Sequence, residues 1–233
     1  MNQRRVMLIT GTRKGIGRYL AEYYVEMGYQ VVGCSRKPID FQLDNYEHFC
    51  LDIADEPAVK KMFFELRKKY KRLDILINNA GIASMNHVLL TPLDVVKNIY
   101  NTNVIGSFVC SREAAKLMKK RPHGRIINFS SAAAPMRLEG EAIYASSKAA
   151  VESLTQILAR ELADFSITVN AIGPTPLKTD LTRGVPKNLM ERLIDRQAIR
   201  CYGELPDISN VIDFFIRPES HFITGQILYL GGV

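Results

Sequence analysis

The stretch Val6-Met7-Leu8-Ile9-Thr10-Gly11-Thr12-Arg13-Lys14-Gly15-Ile16-Gly17 decides how this chain folds. Residues 5–10 read as a buried strand that Gly11 breaks. From Ile16 the apolar residues recur at helical spacing (Ile16, Leu20, Tyr23/Tyr24, Met27), and Gly28 stops the helix. A glycine turn between a strand and a helix is the setting that gives such glycines meaning. Gly11 permits the tight turn, Gly15 lets a ligand approach the backbone, and Gly17 lets the helix pack closely on the sheet. The free N–H groups and the positive end of the helix dipole then face an anion. The order strand, turn, helix points to a pyrophosphate site.

The same alternation runs through the rest of the chain. Further strands are expected at residues 30–34, 46–51, 73–78, 124–130, 166–172 and 226–230. Helices are expected at 56–69, within 92–120 as one long helix, at 143–163 and at 207–216. The segment 174–200, punctuated by Pro and Gly, is expected to hold short helices. This pattern predicts an α/β fold, a parallel sheet of seven strands with helices on both faces. With no composition shift or repeat, residues 1–233 read as one domain, with a substrate lid at about 174–205. One link is short: eleven residues separate Cys34 from Tyr46, where a parallel crossover usually carries a helix. A loop or single turn is expected there, leaving part of one sheet face poorly covered near the third strand.

Composition excludes several classes. Hydrophobic residues make up 47% of 233, enough for a sizeable core, yet the longest apolar runs (6–9, 75–77) are far too short to cross a bilayer. The first residues lead straight into a strand with no signal-peptide pattern, so a cytoplasmic protein without membrane partners is expected. None of Cys34, Cys50, Cys110 and Cys201 has Cys-x-x-Cys spacing, so no metal site is expected; Cys34 and Cys50 are expected as buried thiols. A net charge of +7 permits an anionic partner. No recognition-helix or aromatic-platform pattern suggests nucleic acid. The clusters at 60–61, 67–69 and 119–121 read as solvated helix faces.

After the second strand a nucleotide-binding fold needs a group for the ribose 2′ position. An acid there selects NAD, and a basic residue accommodates a 2′-phosphate. This chain reads Cys34-Ser35-Arg36-Lys37, with no acid before Asp40. Ser35 and Arg36, with Lys14 from the glycine turn, favour NADP(H). Further on, Tyr144 and Lys148 stand four apart in Tyr144-Ala145-Ser146-Ser147-Lys148, so they share a helix face. A free phenol has a pKa near ~10, and a neighbouring cation pulls it down, giving a general acid or base nearer its working pH. Asn78-Asn79-Ala80-Gly81 follows the fourth strand, Ser130-Ser131 ends the fifth, and Asn103 interrupts an otherwise good helix, hinting at a kink or a polar role.

In this order the motifs resemble those of the short-chain dehydrogenase/reductase family, in its compact single-domain branch. They are Thr10-Gly-x-x-x-Gly15-x-Gly17, Asp52, Asn78-Asn-Ala-Gly81, Asn103, Ser131, Tyr144-x-x-x-Lys148 and Ile223-Thr-Gly225. Ser131 rather than Ser130 has the family's spacing of thirteen before Tyr144. The resemblance implies a doubly wound Rossmann fold that binds NADP(H) and interconverts a ketone and a secondary alcohol. It implies Asn103, Ser131, Tyr144 and Lys148 as catalytic residues. Ser131 would hydrogen-bond the substrate carbonyl and Tyr144 would protonate it. Lys148 would lower the Tyr144 pKa and hold the nicotinamide ribose, while the carbonyl freed by a kink at Asn103 would hold a proton-relaying water. Cofactor contacts would come from Gly11, Arg13, Lys14, Gly15, Ile16 and Gly17 at the turn and from Ser35 and Arg36. Asp52 and Ile53 would border the adenine, and Asn79, Ala80 and Gly81 the ribose. Tyr144, Lys148, Ile172, Pro174 and Thr179 would contact the nicotinamide end. Pro174-Thr175 departs from the family's Pro-Gly. Overall the pattern is most like 3-oxoacyl-carrier-protein reductases. A sugar, steroid or small-alcohol dehydrogenase, or a non-catalytic NADP(H)-sensing protein, remains open. Arg137 could meet a substrate carboxylate or phosphate, or pair with Glu139 and Glu141. The helices 92–120 and 143–163 carry more apolar residues than one sheet face needs, for example Val104, Phe108 and Val109 against Val151, Leu154 and Leu158; members of the family commonly pair these helices between subunits, so the resemblance implies a homodimer or homotetramer.

Overall fold

A computed structural model of the protein describes residues 4–121, 123–178 and 187–233, with the backbone alone at 187–189. Seven strands form one sheet: β1 (Val6–Thr10), β2 (Gln30–Ser35), β3 (Tyr46–Cys50), β4 (Ile75–Asn78), β5 (Gly124–Phe129), β6 (Ile167–Gly173) and β7 (Ile227–Tyr229). Their spatial order is β3-β2-β1-β4-β5-β6-β7, and every pairing is parallel. The chain starts mid-sheet, winds outward to β3, then returns past β1 to wind the other way, the doubly wound order expected from the alternation.

Two layers of helix cover the sheet because side chains alternate between its faces. On one face, Leu8, Val32, Leu76, Ile126 and Val169 form a core with α2 (Glu56–Tyr70) and with α4 (Ser107–Met118), which α3 (Leu93–Tyr100) precedes. Beyond α4 come the short α5 (Ala133–Met136) and the long α6 (Ala142–Glu161), whose Leu158 and Ala159 belong to that core. On the other face, Met7, Ile9, Val31, Ile75, Ile77 and Ile127 pack with α1 (Gly15–Glu26) and, past α7 (Lys187–Asp195), with α8 (Leu205–Ile216). Strands β1, β4, β5 and β6 are buried at every residue, as strands covered on both faces must be. The basic cluster 67–69 has a local cause. Arg67, Lys68 and Lys69 are exposed in the last turn of α2, where cations complement the helix dipole.

Three expectations needed correction. The long helix within 92–120 is not uniform: between α3 and α4, Asn101–Gly106 widens to a π-turn. Its cause lies at Asn103, whose carbonyl accepts the Ser107 hydroxyl at 2.7 Å. A hydroxyl bonding back one turn competes with the regular ladder. Cys50 is exposed rather than buried, because β3 is an edge strand none of whose residues is fully buried. Val109, Val151 and Leu158 belong to the core, not to an outer face; Leu93, Ile105, Phe108 and Ile157 are the exposed large apolar residues of these helices. The short β2–β3 link carries no helix, as expected. Phe41 stands in for one, its ring 5.6 Å from that of Tyr46, with the Arg18 guanidinium 4.6 Å above it.

Candidate active site

The C-terminal ends of β1, β4, β5 and β6 gather the predicted residues along one sheet edge. Gly11 takes a left-handed φ of 78°, and its N–H donates to the Cys34 carbonyl at 2.8 Å. The Asn79 amide donates to the Thr10 carbonyl at 2.8 Å, and the Ala80 N–H to the Thr10 hydroxyl at 2.9 Å, tying β4 to the glycine turn. A Cβ at Gly11 would lie 2.9 Å from Ala80 Cα, and one at Gly17 only 2.2 Å from the Gly11 carbonyl oxygen. Packing therefore demands both glycines. Gly15 differs: its φ is 60°, yet nothing lies within 4 Å of where its Cβ would stand, so its open side faces outward. Helix α1 starts here with no side-chain cap, leaving its first N–H groups facing that opening.

Around the turn, Arg13 and Ile16 are partly buried, and Lys14 and Arg36 are exposed. The Ser35 hydroxyl donates to the Lys37 carbonyl at 2.8 Å and lies 3.0 Å from His48 Nε2. Asp52 accepts the Ala54 N–H at 2.9 Å, and Ile53 is buried in the core with its Cδ1 against Gly106. Ile172 is fully buried and Pro174 partly so; the Pro174 carbonyl accepts the Ala132 N–H at 3.0 Å, linking the loops after β5 and β6. Thr175, at the family's usual glycine, is buried with its Oγ1 toward Gly203 and its Cγ2 toward Gly231. Thr179 lies outside the described residues.

The reactive groups sit next to this cradle. Tyr144 and Lys148 occupy adjacent turns of α6, with Lys148 Nζ 5.8 Å from the Tyr144 ring centroid. Lys148 is 5% exposed and donates to the Phe129 carbonyl at 2.7 Å. The Ser131 hydroxyl accepts the Ala133 N–H at 3.2 Å and lies on the Tyr144 side, where it favours the ionised phenol. Asn103 is wholly engaged. Its Oδ1 accepts the Ile82 N–H, and its Nδ2 donates to the Ile82 carbonyl and the Ser147 hydroxyl, all at 2.9–3.0 Å. A Cβ at Gly81 would stand 3.3 Å from Asn103 Oδ1 and 3.5 Å from Lys148 Nζ, so the Asn78–Gly81 loop borders both. The two serines separate cleanly. Ser130 donates to Glu152, which also accepts the Tyr229 hydroxyl at 2.6 Å, whereas Ser131 faces Tyr144.

One electrostatic expectation is reversed in this structure. Burial pushes the Tyr144 phenol up to about 12; the Ser131 hydroxyl opposes this, and the Glu141 carboxylate adds to it. Lys148 does not pull it down, because its ammonium is turned to the Phe129 carbonyl. Burial lowers Lys148 itself to about 8, with Glu152 opposing. Glu141, three residues before Tyr144, went unsingled in the site: its own pKa is raised by burial, and its Oε2 is enclosed without a partner. Arg137 is exposed, has a left-handed backbone and makes no ion pair with Glu139 or Glu141 among the described residues. The described residues contain no cluster able to hold a metal and no helix long and apolar enough to cross a membrane.

Comparison with known proteins bears on this edge directly. A family model described as enoyl-(acyl carrier protein) reductase matches residues 11–232. The 3-oxoacyl-(acyl-carrier-protein) reductase FabG of Staphylococcus aureus is 32% identical, over 100% of this chain and 98% of that protein. The chain belongs to the short-chain dehydrogenase/reductase family. Two solved structures align with this short-chain dehydrogenase/reductase over nearly its whole length. "ElxO with NADP Bound" is 30% identical with a TM-score of 0.89, covering 98% of this chain and 97% of that one. "4-hydroxyisoleucine dehydrogenase complexed with NADH" is 28% identical with a TM-score of 0.87, covering 98% of each chain. The protein is thus an oxidoreductase of this family, working with a nicotinamide dinucleotide. The open glycine cradle, the uncapped start of α1 and the buried Lys148 ammonium suit such a ligand.

Proposed function

We propose that this short-chain dehydrogenase/reductase uses NADP(H) to reduce a ketone to a secondary alcohol, with a 3-oxoacyl thioester on a carrier protein as its substrate class. The observation that carries the reaction is the grouping of Ser131, Tyr144, Lys148 and Asn103. The Ser131 hydroxyl is near enough to favour the ionised phenol, and the buried ammonium lies 5.8 Å from that ring. A bound nicotinamide supplies hydride. Ser131 orients the carbonyl, and Tyr144 gives its proton to the developing alkoxide. Ser131 stabilises the phenolate left behind, and Lys148 binds the adjoining ribose. Asn103 holds the Ile82 backbone and so fixes the floor under Lys148. The glycine turn with Arg13, Lys14 and Ile16 would hold the pyrophosphate, Asp52 and Ile53 the adenine, Asn79, Ala80 and Gly81 the ribose. Ile172, Pro174 and Thr179 would border the nicotinamide.

NADP(H) over NAD(H) is favoured by the exposed Arg36 at the end of β2, where no carboxylate competes for a ribose hydroxyl. The carrier substrate is favoured by the full-length similarity to FabG and by the net charge of +7, which suits an acidic carrier. Arg137 stands exposed in the loop before α6, available to an anionic group on that substrate. A homodimer or homotetramer would cover Ile105, Phe108 and Ile157. The test is NADPH oxidation with 3-oxoacyl-carrier thioesters against a panel of sugar, steroid and small ketones. Turnover led by the thioesters supports the reading. Turnover confined to sugar or steroid ketones transfers the enzyme to another substrate class, and tight NADPH binding without turnover on any ketone makes it a sensor.

A further inference from the structure

A chain of polar side chains occupies the sheet face that the missing β2–β3 helix leaves open. Tyr46 donates to the Thr12 hydroxyl at 2.7 Å and lies 2.9 Å from His48 Nδ1. His48 Nε2 lies 3.0 Å from Ser35 Oγ, whose own hydrogen goes to the Lys37 carbonyl at 2.8 Å. The Ser35 oxygen therefore accepts from the ring, so Nε2 carries the ring proton and Nδ1, 3.4 Å from the Thr12 hydroxyl, is the acceptor of the neutral imidazole. The register of β2 against β3 sets Gly33 beside His48, and Gly33 makes the room. A Cβ there would stand 2.0 Å from the Tyr46 oxygen and 2.3 Å from the Thr12 oxygen. The chain thus runs from the glycine turn, through Thr12, to Ser35 and Lys37 on either side of Arg36.

We propose that His48 is a positioning residue for the 2′-phosphate subsite: its ring orients Ser35 and the Lys37 backbone, and its protonation adds a charge that strengthens binding of 2′-phosphorylated nucleotides as pH falls. The inference rests on the NADP(H) reading above. Protonated at Nδ1, the ring donates from both nitrogens, and the Tyr46 oxygen, whose hydrogen already goes to Thr12 at 2.7 Å, is free to accept from Nδ1 at 2.9 Å. Half-burial lowers the His48 pKa, and the Lys37 carbonyl partly opposes this; no carboxylate is a cause of the shift. The other titratable groups packed around it leave this response intact. Tyr46 is pushed up to about 12 and Cys34 to about 12, both by burial, so both stay neutral. Asp40 is held by Arg18 at 3.2 Å. Asp44 lines the groove of about 380 Å³ beside His48 and Tyr46 and is the acid on that side. Arg13, Arg36 and Lys37 supply the standing positive charge around the network. A doubly charged phosphate monoester then raises the His48 pKa on binding.

The test compares 2′,5′-ADP with 5′-ADP, neither of which carries nicotinamide, by titration calorimetry between about pH 8 and pH 6. A rise of one unit in the His48 pKa on binding corresponds to about tenfold in affinity. The wild-type preference for 2′,5′-ADP is expected to grow severalfold toward that limit as pH falls to about 6, relative to His48→Gln, which keeps a group at the Nε2 position but cannot charge. The phosphate's own titration is common to both proteins and cancels. By NMR, the His48 ring in the wild type should titrate at higher pH with 2′,5′-ADP than with 5′-ADP, whether or not the variant folds. If 2′,5′-ADP is preferred but His48→Gln keeps the wild-type pH response, or the His48 pKa ignores the 2′-phosphate, this inference fails and the NADP(H) reading stands. If no preference appears at any pH, both fall.

Discussion

Replacing Lys148 with methionine should make the protein more stable and inactive at once. The ammonium is 5% exposed, makes one hydrogen bond to the Phe129 carbonyl, and has its pKa lowered from 10.5 to about 8, chiefly by burial. That shift corresponds to about 3 kcal/mol of unfavourable burial of the charged form. The unfolded chain holds this proton up to its ordinary pKa, whereas the folded protein gives it up near 8. Between those values the unfolded state binds more protons, so stability rises with pH; below about 8 the cost is constant. Lys148→Met removes the charge and forfeits a charge-assisted hydrogen bond worth about 2 kcal/mol. At about pH 7 the variant should therefore be roughly 1 kcal/mol more stable, and its advantage should shrink as pH rises toward 10. Urea denaturation of both proteins at matched concentration across that range measures the difference directly. A variant less stable at pH 7, or an advantage independent of pH, would refute the argument that the ammonium is held at a folding cost.

Arg36→Asp should move nucleotide preference from NADPH toward NADH, read as the ratio of dissociation constants; a wild type that binds both equally removes the assignment. Gly33→Ala should destabilise by about 1–3 kcal/mol through overpacking against Tyr46 and Thr12, seen as a lower Tm. Glu141→Gln removes the negative potential that helps raise the Tyr144 phenol, so the alkaline limb of the pH–rate profile should move to lower pH; movement the other way contradicts the electrostatics described here.

Much of this was legible in the chain because it is written in local periodicity. Strand-like runs alternating with helical spacing are legible for all seven strands, and the glycine turn placed the cradle. The four-residue spacing of Tyr144 and Lys148 put them on one helix face before any tertiary contact was known. Asn103 announced itself by its poor helix propensity, although the π-turn depends on Ser107, one turn on. Where the reading failed, the cause was tertiary. Spacing cannot say that Lys148 turns to the Phe129 carbonyl on β5, so the expected lowering of the phenol pKa was not met. Nor can it say which of Val109, Phe108 and Ile105 faces the sheet. His48 stayed hidden because Thr12, Ser35, Tyr46 and His48 meet only once β3 is in register beside β2. The exposure of Cys50 follows from the same edge strand.

The account stands on Tyr144 as the proton donor, and Tyr144→Phe tests it most directly. With NADPH and the best ketone of the panel, kcat should fall by about 10²–10⁴, the usual contribution of a positioned acid, while the dissociation constant for NADPH stays within about twofold of wild type. Turnover that persists near the wild-type rate without the phenolic hydroxyl would contradict it.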